Sequence, residues 1–344
     1  MDWKPWQDAE STLRNSPWQK LLAKYQNPHR LKSIWQLVNT IIPYVVLWYL
    51  MYLSLSVSYW LTLGIAVIAA GFLVRIFIIF HDCGHGSFFK SMKWNNFWGV
   101  VTSILTFTPY DYWRHEHAQH HAAAGNLDER GFGDIWTLTV KEYLKSPLWT
   151  RIKYLFARNP ICLFLIGPSI LFFIVHRIPR IAAGEKGAPG VHLTNLALLL
   201  VGVAISHLIG WQAYLLIQVP VVMIAASAGV WLFYVQHQFE GVYWERKEGW
   251  DYITEAIKGS SFYKLPPILQ WFTGSIGYHH IHHLCPKIPN YFLERCYREN
   301  PLFQQVKPIT FLSSFKSITF RLWDEQHQRL VGWDYLKTLK FQAA

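Results

Sequence analysis

Eleven of the chain's sixteen histidines fall in four short patches, and three of these patches have the spacing of metal ligands. They are His81-Asp-Cys-Gly-His85, His115-Glu-His117-Ala-Gln-His120-His121, the single His237 in Gln236-His237-Gln238, and His279-His280-Ile-His282-His283. Positions three and four apart share one face of a helix. His81 with His85, His117 with His120 and His121, and His279 with His282 and His283 each offer two or three imidazoles in one direction. Neutral imidazole suits iron, zinc, copper or nickel, whereas magnesium and calcium want oxygen. Three clusters plus His237 exceed what one ion with about four to six ligands accepts. The residues point to two metals. His115 and His280 lie out of phase with these faces and are expected to hydrogen-bond or face solvent.

The elements that carry these patches are apolar. No charged residue occurs from Ser33 to Val74, nor from Leu193 to Phe239. Each run is long enough for two helices of about 20 residues, the length that crosses a bilayer. Breaks are expected around Ser58–Gly64 and around Gly210-Trp-Gln212. Phe97–Tyr110 and Ile161–His176, the latter with Gly167-Pro168, are too short for confident spans and are expected in or near the interface. Shared metals require the patches to lie on one side of the membrane, which four crossings satisfy and a fifth lone crossing breaks. The expected fold is all-α, a single membrane domain over 1–344. Within it, 33–80 forms the first transmembrane pair, and 81–192 a cytoplasmic and interfacial region with the first two patches. Residues 193–235 form the second pair, and 236–344 a cytoplasmic helical cap with the last. In the cap, Pro286-Lys-Ile-Pro-Asn290 reads as an extended turn, and Phe315–Leu330 as a helix capped by Ser313 or Ser314.

Orientation follows from basic residues near the span ends. Lys4, Arg14, Lys20, Lys24, Arg30 and Lys32 precede the first run, while the connections at Ser56–Trp60 and Gly210–Gln212 carry none. Both termini and all four patches are therefore expected to face the cytoplasm from the plasma membrane. The first span is expected to act as an uncleaved anchor. A net charge of +11 fits this bias and contact with anionic head groups. The positives are scattered among interfacial aromatics, so nucleic acid is not an expected partner. Cys83, Cys162, Cys285 and Cys296 show no CxxC spacing, which argues against an iron–sulfur cluster or zinc ribbon. Gly131-Phe-Gly133 lacks the third glycine of a dinucleotide site. Any electrons must come from outside the chain.

The three patches, as HxxxH, HxxHH and HxxHH in order, each after an apolar pair, resemble the histidine boxes of the membrane-bound fatty acid desaturases. Phe80–Phe89, Asn126–Trp136, Val235–Glu240 and Gly277–Pro286 extend the likeness across the chain, nearest to bacillus-type acyl-lipid enzymes that insert a Δ5 double bond. The resemblance implies a di-iron centre with O2 as co-substrate. Its ligands would be His81 and His85, then His117, His120 and His121, then His237, then His279, His282 and His283. Stearoyl-CoA members carry an asparagine four positions before the histidine that matches His237. Here that position is Phe233.

The chemistry agrees. The middle of an alkyl chain offers no handle for acid–base catalysis, so a strong oxidant is needed, which iron with dioxygen supplies and redox-inert zinc does not. No catalytic acid or base separate from the metal centre is expected. Asp82, Glu116, Asn126, Asp128, Asp134 and Glu240 lie close enough in sequence to orient the rings. The substrate is expected to be an acyl chain of membrane phospholipid, receiving a cis double bond. Phe77, Phe80, Phe88, Phe89, Trp94, Trp113, Trp136, Trp231, Phe239, Tyr243 and Trp244 are candidates for its channel or for interfacial packing. A ferredoxin or flavodoxin would deliver electrons at exposed cationic residues.

Rival readings are a di-iron alkyl or acyl hydroxylase, a membrane metal transporter and a haem-binding electron carrier. A transporter would place its ligands within the spans, where only His207 stands apart from the patches. A haem carrier would need far fewer histidines.

Overall fold

The computed structural model describes residues 18–131, 133–179 and 188–342. Lys4 and Arg14 of the basic N-terminal stretch lie outside them. The described residues are helical apart from loops and two small pairs of strands. Among them, four helices are long and apolar enough to cross a membrane: Arg30–Ser54, Tyr59–His85, Ala188–Ile209 and Trp211–His237. They are the first to fourth spans here.

The breaks fall where turn chemistry directs. Ser54 Oγ and Thr62 Oγ1 meet at 2.8 Å and close the hairpin between the first two spans. Gly210, with φ +87, separates the third from the fourth. The second span is the centre of the bundle: Ala66, Ala69, Ala70, Leu73 and Ile76 pack against Ile217, Val221, Val222 and Ala225 of the fourth. Small residues let the helices approach closely. The third span is the least buried of the four, with Val191 and Thr194 its buried residues.

The first marginal segment, Phe97–Tyr110, covers the end of a 14-residue helix, Met92–Leu105, and the turn into the helix that starts at Tyr110. The second belongs to a bent pair, Leu148–Ala157 and Cys162–Arg177, with a 66° angle between its halves. His85 ends the second span and His237 ends the fourth. A re-entrant bent pair is the arrangement that the expectation of four crossings requires.

The cap is tied to the bundle through strands. Phe262–Lys264 pairs in parallel with Pro308–Thr310, and Ser261 N–H donates to the Gln236 carbonyl at 3.0 Å. The helix expected over Phe315–Leu330 is corrected. A short 3-10 turn at Phe315–Thr319 leads into a hairpin of Leu322–Asp324 and Arg329–Val331. Trp323 is fully buried in it, against Trp244 at 6.1 Å. Asp324 stops the first strand by accepting from Gln326 N–H at 3.1 Å, an Asx turn that a helix would forfeit. Pro286–Pro289 is a turn as expected, and Asn290 opens the helix Asn290–Glu299.

Buried Arg158 joins the bundle to the cap. Its guanidinium donates to Gln238 Oε1 at 3.1 Å, to the Phe320 carbonyl at 3.1 Å and to Tyr234 Oη at 3.3 Å.

Candidate metal centre

Each histidine patch sits where its local structure ends. His81 and His85 occupy the last turn of the second span, which stops at Gly86 with φ +64. His117, His120 and His121 lie on the helix Tyr110–Ala123, and His237 is the last residue of the fourth span. His279, His282 and His283 lie on the six-residue helix His279–Leu284. Approach to that helix is tight: a Cβ on Gly277 would stand 2.3 Å from the Tyr263 carbonyl oxygen.

The rings form two groups among the described residues. In one, ligand atoms of His81, His85, His117, His121 and His282 all lie within 4.8 Å of each other. The other holds His120, His237 and His283, and His279 adjoins it with Nε2 at 3.0 Å from His237 Nε2. His115 is exposed against Gln119, and His280 is fully buried on the far face of its helix beside Phe262 and Phe303. Neither joins a group.

The outer nitrogens have partners that fix the rings. His81 Nδ1 is 3.1 Å from Asp82 Oδ1, and Asp82 Oδ2 accepts from Asn290 N–H at 2.6 Å and from its side-chain amide at 2.8 Å. His120 Nδ1 is 2.8 Å from Asp134 Oδ1. His237 Nδ1 lies 3.2 Å from the Gly259 carbonyl, and His283 Nδ1 3.2 Å from Glu255 Oε2. Carboxylates and carbonyls only accept, so His120 and His237 carry their protons on Nδ1. Their Nε2 atoms face each other at 3.2 Å.

That spacing matches two ligands on one cation: at about 2.1 Å from the metal, nitrogens at a right angle stand about 3 Å apart. Similar spacings join His121 to His117 at 3.2 Å and His282 to His121 at 3.1 Å. His85 Nε2 and His283 Nε2 are buried without a hydrogen-bond partner. Burial and then the neighbouring imidazoles hold His117, His121, His279, His282 and His283 well below the ordinary imidazole range. They are neutral near pH 7, the form that ligates. The residues fit two ions.

Of the carboxylates proposed to orient rings, Asp82 and Asp134 touch them. Glu116 accepts from Tyr112 Oη at 3.0 Å and lines the cavity beside the rings. The others are taken elsewhere. Asn126 Oδ1 accepts from Asp128 N–H at 3.0 Å, Asp128 pairs with Arg246 at 2.6 Å, and Glu240 pairs with Lys316 at 2.8 Å. Sequence reading missed Glu255. It is fully buried on a π-helical turn, Glu255–Gly259, and burial pushes its carboxyl up to about 8. A lone acid in the apolar stretch Ile253-Thr-Glu-Ala-Ile257 was the available signal.

A cavity of about 670 Å³ runs from His81, His117, His120 and His279 between the second span, the fourth span and the bent pair. Its walls are mainly apolar, with Leu73, Phe77, Val222, Ala226, Ile166 and Ile170 among them. Phe77 and Trp113 line it, as does Phe233, whose ring lies 5.1 Å from His120 and 5.2 Å from His237. Phe233 gives the second group an apolar wall where stearoyl-CoA members carry an amide. Phe80 and Phe88 are fully buried packing residues instead.

Residues 58–308 match the family model described as fatty acid desaturase. Over 318 residues the chain is 49% identical to a fatty acid desaturase of Bacillus subtilis (strain 168), covering 92% of this chain and 90% of that protein. The chain belongs to the fatty acid desaturase family. This desaturase is also 28% identical over 243 residues to an sn-1 acyl-lipid omega-3 desaturase (ferredoxin) of Synechocystis, covering 68% of this chain and 64% of that protein. An acyl-lipid omega-3 desaturase (cytochrome b5) of the Arabidopsis thaliana endoplasmic reticulum is 27% identical over 63% of this chain and 58% of its own. The desaturase is thus an oxidoreductase and a membrane protein, with histidine groups that could hold metal.

Proposed function

We propose that the desaturase inserts a cis double bond, at the Δ5 position, into acyl chains of membrane phospholipid, using O2 and a di-iron centre. The observation that carries this reading is the apolar cavity ending on His81, His117, His120 and His279. Its volume suits one flexible chain, and it lies among the spans, where such chains already reside. The Δ5 position rests on the likeness to bacillus-type enzymes.

His81, His85, His117, His121 and His282 would hold one iron, and His120, His237, His279 and His283 the other. When bound, two irons with O2 supply the oxidising power that an unactivated C–H bond demands. In the balanced reaction the chain loses two hydrogens, and O2 is reduced to two waters with two electrons and two protons from outside. The protein's part is to bind, orient and exclude water. Asp82, Asp134 and the Gly259 carbonyl keep Nδ1 protonated and Nε2 free on three of the rings, and Glu255 orients the His283 ring through Nδ1. Phe77, Trp113 and Phe233 keep the reacting carbons dry.

An external carrier, ferredoxin or flavodoxin, would deliver electrons on the cytoplasmic face of the plasma membrane. The relatives name ferredoxin in one case and cytochrome b5 in another, which supports a separate donor protein.

The test is fatty acid analysis of a bacterial host expressing the chain, with double-bond position located by mass spectrometry. A new Δ5 bond that requires both oxygen and His120, lost in His120→Ala, is the expected result. Hydroxylated chains would move the assignment to the sister reaction, and no new lipid in a host with a competent ferredoxin and iron-loaded protein would end the acyl reading.

A further inference from the structure

The cap carries apolar surface that its own core leaves uncovered. Helix Pro267–Phe272, just ahead of the last histidine helix, leaves Ile268 67% exposed and Trp271 39% exposed. A second strip follows strand Pro308–Thr310, where Leu312 is 78% exposed and Phe315 48%. Parallel pairing of Phe262–Lys264 with Pro308–Thr310 sets the starts of both strips side by side.

Both strips touch the spans toward their histidine-bearing ends. Arg75, a cation within the second span, donates through Nε to Thr40 Oγ1 at 3.1 Å and through its guanidinium to the Trp271 carbonyl. That guanidinium also lies 4.0 Å from the Trp271 ring centre. Phe272 packs edge-on to Phe72 at 5.2 Å. Across the bundle, Phe315 lies 5.6 Å from Trp231 of the fourth span.

Depth can be counted along the helices. Exposed Trp60 and Trp211 mark the far interface. Arg75 lies about 22 Å along the helix from Trp60, and Trp231 about 30 Å from Trp211, at 1.5 Å per residue. The hydrocarbon layer is about 30 Å thick. The Phe315 contact therefore falls at its near border, and the Trp271 contact a turn or so inside it.

We propose that Ile268, Trp271, Leu312 and Phe315 form a docking face that seats the cap in the boundary between acyl chains and head groups of the bilayer. The cap is then part of the membrane-embedded body rather than a lid standing in water, and this holds whatever acyl substrate the cavity takes. Lipid is the occupant because the face continues the exposed apolar belt of the first span, Ile42, Val45 and Val46, whose Thr40 meets Arg75. Exposed Lys264 flanks the first strip and can extend its ammonium group to anionic head groups.

The experiment uses the full-length protein with Cys162→Ser, the other three thiols being buried. Single cysteines replace Ile268, Leu312 or, as a water-facing control, Lys247, and each carries a nitroxide label. In bilayers of phosphatidylcholine and phosphatidylglycerol, collision with lipid-soluble oxygen is compared with collision with an aqueous nickel chelate. Labels at Ile268→Cys and Leu312→Cys should favour oxygen over nickel several-fold more than the label at Lys247→Cys. A nickel accessibility equal to the control overturns the proposal. So does shielding from both reagents, which would mark a protein contact in place of lipid. Bound metal equal to the parent's confirms that each labelled protein is folded.

Discussion

His120 Nδ1 stands 2.8 Å from Asp134 Oδ1, and Asp134 sits in a loop whose neighbours Gly131 and Gly133 both have positive φ. That carboxylate keeps the proton on Nδ1 and leaves Nε2 to face His237. Asp134→Asn presents a group of the same size without the charge. It should lower iron affinity or desaturation about 10- to 100-fold, the usual effect of losing a ligand's orienting partner. Iron content and product yield, measured together, check this, and full iron with full activity would refute it.

Glu255 gives the metal-free protein a pH dependence. Its carboxyl, pushed up to about 8 by burial, holds a proton in the fold that the unfolded chain releases near pH 4.5. Stability due to this group therefore falls as pH rises toward 8. The buried histidines act oppositely, and their effect is complete above about pH 6.5. Between about pH 6.5 and 8 the slope belongs to Glu255 and amounts to about 2 kcal/mol. Thermal unfolding of chelator-treated protein in detergent should show that decline, and Glu255→Gln should flatten it.

Gly277→Ala should destabilise the protein by about 1–3 kcal/mol. Its Cβ would meet the Tyr263 carbonyl at 2.3 Å, which is backbone and cannot swing away. The Tyr263 amide also donates to the Gly277 carbonyl at 2.7 Å, so the shift passes into the last histidine helix. A lowered midpoint in thermal unfolding, together with reduced iron loading, is the expected pair of observations.

Gly229 faces the cavity, and a Cβ there would meet nothing within 4 Å. Gly229→Leu should fold normally and fill that space. Lipid profiles of the expressing host should then lose products from longer chains before those from shorter ones. Unchanged product lengths would mean that the reacting chain does not pass Gly229.

Local pattern carried much of the architecture. Spacing of three and four put His117, His120 and His121 on one helical face, and Gly210 fell where a run too long for one span had to turn. What escaped was long-range. Glu255 and His283 are 28 positions apart in sequence, and no periodicity links a carboxylate to a ring across such a gap. Asn290 reaches Asp82 over 208 positions. The C-terminal hairpin failed for a local reason. Leu322-Trp323 and Leu330-Val331 flank a short polar stretch, a strand–turn–strand signal, and Asp324 caps the turn. Spacing suited to a helix was allowed to outweigh it.

Ligands gathered from distant parts of the chain would give bound cations a second role. They would work as cross-links, clasping the ends of two spans to two separate helices. Ligand binding to the folded form alone stabilises it in proportion to the logarithm of metal supply. Metal starvation would thus shorten this enzyme's lifetime in the membrane as well as silence it.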